Sequence, residues 1–240
     1  MGRVIMSGIV PTLKAPSTGI LAQDIAVGSV VKLMEGGTAV EYLVVNQGIP
    51  ENSSLYDASC DGTWLLRKDI HSNRQWHTSD VNKYETSAIN TWLNGDFFNS
   101  LGNVERATVR QVKIPYRAGG GSGGTDQSGA NGLSCKVFLL SCYELGWTTS
   151  NSSMYPVDGA KLDYFIAGSA GKSLRIAHLN GTVNDWWTRS PYAMGTSNAW
   201  FIQTDGNSNS SGASNSRGIR PTLILPGSAR FDETTMLLKG

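Results

Sequence analysis

Trp186-Trp187-Thr188-Arg189-Ser190-Pro191 and Gly218-Ile219-Arg220-Pro221-Thr222-Leu223-Ile224-Leu225 bracket the part of this sequence that decides its fold. The first is an aromatic and arginine cluster, the second an apolar, strand-like run. Between them, Ser197-Asn198-Ala199-Trp200-Phe201-Ile202 begins as a strand, and Asn207-Ser208-Asn209-Ser210-Ser211-Gly212-Ala213-Ser214-Asn215-Ser216 is almost wholly small and polar. Alternate residues of a strand face opposite ways, so Trp187 and Arg189 are expected to share one face while Trp186 packs on the other. Trp186, Trp187, Arg189 and Arg220 are read as structural frame. Tryptophan anchors a core, and an arginine just before Pro221 either lies over an aromatic ring or ties down loop carbonyls. The polar insert is left to face solvent.

Outward from this stretch the chain is β-rich with a helical interlude. Residues 25–33 and 39–46 flank Glu35-Gly36-Gly37 as a hairpin, and Gly62–Lys68 is a third strand candidate. From Ser79-Asp80 the apolar period becomes helical, with Val81, Tyr84, Ala88 and Trp92 on one face, ending at Asn94-Gly95. Asp96–Gly102 predicts a second short helix, and Ala107–Ile114 a strand. Ala118–Ala130 is a flexible glycine-rich loop by composition. Lys136–Leu140 is a buried strand, with Ser141 placed to cap a short helix through Leu145. Residues 1–24, with Pro11, Pro16 and Gly19, suit an extended arm that attaches or oligomerises the protein, and 25–240 are expected to form a single domain.

Twenty basic against nineteen acidic residues leave a net charge of +1, which argues against a nucleic-acid partner. Met1–Met6 lacks the features of a signal peptide and no run is long enough to span a bilayer, so membrane insertion is not expected. Cys60, Cys135 and Cys142 fit neither a disulfide framework nor paired metal spacing. Gly171-Lys172-Ser173 lacks the glycine that a phosphate-binding loop needs, Ile166 standing in its place. Gly120-Gly121-Ser122-Gly123-Gly124 matches a serine-nucleophile pattern only inside low-complexity sequence. His71, His77, Asp69, Asp80 and Cys60 have no compact ligand spacing, and no histidine has an identifiable catalytic partner. Neither a catalytic set nor a metal or other cofactor is expected.

Together, the W-W-x-R-S-P motif at 186–191, the Asp205-Gly206 pair and the G-I-R-P-T-L-I-L run at 218–225 resemble the signature of the DUF6273 type of domain, found in Gram-positive bacteria and their phages. Tyr56–Leu66, Ile89–Asn94 and Val137–Ser141 resemble its members as well, so the likeness covers roughly residues 25–226. The resemblance implies an α+β, C-type-lectin-like fold: twisted antiparallel sheets, two short helices and long irregular loops. It also implies phage virion or cell-surface proteins, some similar to the variable targets of diversity-generating retroelements. Calcium-dependent lectins of that fold carry carboxylate ligand motifs, of which only Asn184-Asp185 before Trp186 is present here.

The expected function is therefore non-enzymatic: a virion component of tail, fibre tip or capsid surface that binds a host cell-surface protein or glycan. Its arm would contact other virion proteins or sister copies in a homo-oligomer; a bacterial cell-surface location is the alternative. Tyr192, Ser197, Asn198, Trp200, Asn207, Asn209, Ser214 and Asn215 are the expected ligand-binding residues. Tyrosine and tryptophan give contact area at low entropic cost, and serine and asparagine adapt their hydrogen bonds. A purely structural module with merely solvated loops is the competing expectation.

Overall fold

Ten strands form two five-stranded sheets in the computed structural model, which describes residues 19–147 and 154–240. In chain order they are β1 (Val30–Glu35), β2 (Thr38–Gln47), β3 (Thr63–Arg67), β4 (Asn73–Gln75), β5 (Val137–Phe138), β6 (Trp186–Pro191), β7 (Asn198–Ile202), β8 (Ser208–Gly212), β9 (Ser216–Gly218) and β10 (Thr222–Leu225). The first sheet runs β5-β10-β3-β2-β1 and the second β8-β7-β6-β9-β4. With a few short helices beside them, the architecture is α+β. Within these sheets the strands pair antiparallel except β6 with β9, which pair in parallel at Trp186 and Gly218.

The apolar run at 222–225 becomes β10 because both its faces are covered, and all four residues are buried between β5 and β3. Two of the connections between the sheets are short, 68–72 after β3 and 219–221 before β10. They run side by side: His71 N–H donates to Ile219 O at 2.8 Å, Ile219 N–H to Ser72 O at 3.0 Å, and Arg67 N–H to Pro221 O at 2.9 Å. Arg220 locks this junction. Its guanidinium donates to Arg67 O at 3.2 Å and Lys68 O at 2.9 Å, and lies 4.7 Å from the centre of the Trp186 ring.

Several expected elements shift. The helix spans Ala88–Trp92, with Ser87 accepting from Asn90 N–H as its cap, rather than starting at Ser79-Asp80. Asn94-Gly95 does not end the helical segment, which loosens into a wide turn at Leu93–Phe97 and resumes at Phe98–Ser100. The Asn94 side chain explains this persistence, since it accepts from Lys136 N–H at 2.8 Å and donates to Val137 O at 2.9 Å, tying the segment to β5. Asn103–Thr108 is helical, so the strand expected from Ala107 is confined to Val112–Ile114. Ser141 and Glu144 exchange the hydrogen bonds of a capping box, but only a turn follows.

The inner end of the expected arm at 1–24 is packed against the rest of the chain. Ile20–Leu21 pair with Arg230–Phe231, and Ala22 is buried and donates to Ala229 O at 2.7 Å. These apolar residues gain a strand partner that only the far end of the chain supplies. Residues 1–18 lie outside the described residues. The glycine-rich stretch 118–130, expected as a flexible loop, is largely ordered as a hairpin of Tyr116–Ala118 with Thr125–Gln127.

Candidate recognition surface

The polar insert is itself sheet. β7 and β8 form a hairpin at the edge of the second sheet, with Trp200 opposite Ser210 and Phe201 opposite Asn209. Period-2 alternation sorts its side chains onto two faces. Trp200 and Ser208 fall on one face, where Tyr155 covers them. The Tyr155 ring lies 4.4 Å from that of Trp200, and its hydroxyl is 2.7 Å from Ser208 Oγ. Burial pushes the Tyr155 phenol up to about 12, so that hydroxyl stays protonated. Phe201, Asn209 and Ser211 fall on the opposite face. There Arg217 of β9 lies 3.5 Å over the Phe201 ring and 5.5 Å from that of Trp187, and pairs with Asp185 at 2.6 Å.

The eight residues expected to bind ligand do not form one patch. Trp200 is only 5 % exposed; its indole donates to Met154 O at 3.1 Å, and Tyr192 packs against it at 5.7 Å. Trp200 is a core anchor of this face, and the expectation that it meets ligand is corrected: its large apolar surface is covered from within the chain. Asn207 lies at the turn end of the hairpin, where its side chain and N–H both bond Asp205. Five strand steps of about 3.3 Å each separate it from the Asn198 end. Ser197 and Asn198 bond each other at 3.2 Å, and both carbonyls are engaged, by Ala213 N–H and by the Asn82 side chain. Ser214 donates its N–H and hydroxyl to Asp80 at 2.9 and 2.6 Å, and those bonds hold the Asp80 carboxyl below the usual range. Asn215 and Asn209 are exposed, and Asn215 Nδ2 donates to Ser211 Oγ at 2.9 Å. Of the eight, Asn209 and Asn215 thus share an outward face, together with Ser211 and Arg217, which were not among the expected residues.

Two residues at this surface carry no sequence signal. Asn82 is buried, and its amide donates to Asn198 O at 2.7 Å and Gly195 O at 3.0 Å while its oxygen accepts from Gly121 N–H at 3.0 Å. One side chain thereby clasps the loops at 80–82, 120–121 and 192–198. The close approach dictates glycine, because a Cβ on Gly121 would stand 2.0 Å from both Tyr192 O and Gly195 O. The second is Arg74, opposite Arg217 on β4, whose guanidinium lies 4.0 Å over the Trp92 ring. A glycine run next to a polar insert was the only hint of the clasp, and composition alone reads such a run as a linker.

Beneath the surface, β6 satisfies each polar side chain it buries. The Trp186 and Trp187 indoles donate to Arg175 O at 2.8 Å and Arg74 O at 3.1 Å. Thr188 donates to Trp200 O at 2.8 Å. Arg189 and Glu144, both fully buried, form a two-pronged ion pair at 2.5 and 2.7 Å, and Glu144 also accepts from the Tyr56 hydroxyl at 2.9 Å. Ser190 donates to Asp158 at 2.7 Å. Burial pushes the Asp158 carboxyl up to about 7, and its other oxygen has no hydrogen-bond partner among the described residues. The three cysteines are free and buried, and burial raises each thiol well above the reactive range. Among the described residues, no three His, Cys, Asp or Glu side chains gather as a metal site.

The model of a family described as a domain of unknown function, DUF6273, matches residues 61–227, more than half of the chain. No curated protein and no solved structure matches it.

Proposed function

The chain belongs to the DUF6273 family, and we propose that it is a non-enzymatic recognition module with a C-type-lectin-like fold, carried on a phage particle and binding a host cell-surface protein or glycan. The carrying observation is the outward face of the β8 edge and the turn after it. Asn209, Ser211 and Asn215 present short hydrogen-bonding side chains there, while Asn82 and Asp80 tie down the backbone at Asn198 O and Ser214 N–H and Tyr155 bonds the Ser208 hydroxyl on the opposite face. A prearranged backbone with adaptable polar groups binds without a large ordering cost. Such positions also tolerate substitution, since none of the three fills the core, and this favours diversification by a retroelement. The lectin-like assignment draws support from the segments that flank the two sheets, because Ile20–Leu21, Arg230–Phe231 and Leu238–Lys239 close together as one small sheet beside β1. A particle of a phage of Gram-positive bacteria remains the proposed setting, with a bacterial surface as the alternative.

The test is flow cytometry of the labelled protein on Gram-positive cells that the particle infects. Asn209→Arg and Ser211→Arg should abolish cell binding with the melting temperature unchanged. Undiminished binding by both would refute the assignment. A structural module makes the opposite prediction, with those substitutions harmless and deletion of residues 1–18 preventing incorporation into particles.

A further inference from the structure

We propose that the cleft between β4 and the Ala88–Trp92 helix is a binding subsite for a carboxylated sugar, with Arg74 as its carboxylate clamp. The inference deepens the recognition function above and rests on it. The cleft has a volume of about 380 Å³ and is lined by Asn73, Arg74, Gln75, Thr78, Trp92 and Ser216 among others. That volume lies within the range of small-molecule sites, roughly 300–1,000 Å³. It also adjoins the recognition face, since Ser216 opposes Gln75 in the β9–β4 pairing and Gln75 donates to Ser214 O at 2.8 Å.

The two neighbouring arginines differ in a way that singles out one of them. Arg217 spends its charge on Asp185 at 2.6 Å and is half-buried. Arg74 is exposed, stacks on Trp92 at 4.0 Å, and has no ion-pair or side-chain hydrogen-bond partner among the described residues. Stacking fixes the guanidinium plane while leaving its N–H edge free, the geometry that meets a planar carboxylate through two parallel hydrogen bonds. Arg74 is the sole charged residue among those lining the cleft. One cation balances a monoanionic carboxylate better than a doubly charged phosphate. The remaining polar lining is neutral: amides at Asn73 and Gln75 and hydroxyls at Thr78 and Ser216 suit the hydroxyl groups of a sugar ring. Trp92 supplies an aromatic wall, itself held against Phe97 and His71.

The probes are galacturonate, galactose and inorganic phosphate, titrated into the full chain and followed by the amide and indole NMR shifts of Arg74 and Trp92. Galacturonate should shift these signals saturably, and galactose should bind about tenfold more weakly or not at all, the worth of a charge-assisted hydrogen-bond pair. Arg74→Ala should abolish the galacturonate response while the rest of the spectrum stays unchanged. Arg74→Lys, which retains the charge without the fork, should weaken it by about tenfold. Galacturonate binding by Arg74→Ala at wild-type strength, equal binding of galactose, or stronger binding of phosphate would each overturn the subsite. Asn209→Arg separates the two proposals: it should leave galacturonate binding intact while abolishing cell binding. Loss of the sugar response with normal cell binding would sink the subsite and spare the recognition face.

Discussion

Replacing Asn82 with alanine tests whether the recognition surface is held by the clasp beneath it. The substitution removes two donated bonds, to Asn198 O at 2.7 Å and Gly195 O at 3.0 Å, and one accepted from Gly121 N–H at 3.0 Å. At a net 0.5–1.5 kcal/mol for each buried hydrogen bond, three bonds amount to about 2–4 kcal/mol. For a chain of this size that corresponds to a fall in melting temperature of about 5–15 °C. Urea unfolding followed by tryptophan fluorescence gives the free energy, and circular dichroism gives the melting temperature. Asn82→Asp adds a discriminating arm, since it keeps an acceptor for Gly121 N–H but turns an anion toward the carbonyls of Gly195 and Asn198. It should be at least as damaging as alanine. An Asn82→Ala protein within about 0.5 kcal/mol of the parent, the range of ordinary surface substitutions, would show that the three loops hold their positions without the clasp.

Trp200→Ala should cost about 3–5 kcal/mol in denaturant titration, because its buried ring is packed by Tyr155 and Tyr192, and a neutral result would return Trp200 to the ligand-facing set. Glu144→Met should cost about 3–5 kcal/mol by stranding the Arg189 charge, whereas Glu144→Met with Arg189→Met should recover much of the loss; an additive double mutant would contradict the pairing. Because burial raises the folded Asp158 carboxyl from 3.8 to about 7, the native state binds more protons than the unfolded chain between those values. Its contribution to stability is therefore present in full below about pH 4 and lost as pH rises through about 7. The difference in stability between Asp158→Asn and the parent should grow in the mutant's favour over that window, and a flat difference would refute the shift. Gly121→Ala should prevent folding or cost several kcal/mol, while Gly95→Ala, with open space at its Cβ position, should stabilise by up to about 1 kcal/mol; equal effects on melting temperature would undo the packing argument.

Local chemistry made much of the fold legible. The alternation and β-branching of residues 30–47 specify a hairpin whatever surrounds it, and the apolar 222–225 run specifies a strand covered on both faces. The indoles of Trp186 and Trp187 and the charge of Arg189 called for buried partners, and the motif itself announced that need. The partners were not legible, because they come from elsewhere in the chain: Arg175 O, Arg74 O and Glu144. Helix boundaries moved for the same reason. Asp80 is as good a cap as Ser87 by residue type, but Ser214 claims it first.

The candidate site divides along the same line. Composition alone marked Asn207–Ser216 as polar and adaptable, since no core could be built from those side chains. It could not reveal that the segment is a strand, because Ser and Asn carry little strand preference and the pairing is imposed by β7. Nor could it tell Trp200, buried under Tyr155, from Asn209, which faces out one register position from Trp200's partner Ser210. Which face a residue takes depends on strand register, and register is set by long-range pairing. The sequence by itself determined which segments must be buried and which can remain wet; only the tertiary structure decided which wet residues share a surface, and that Arg74 stands beside it with its charge unspent.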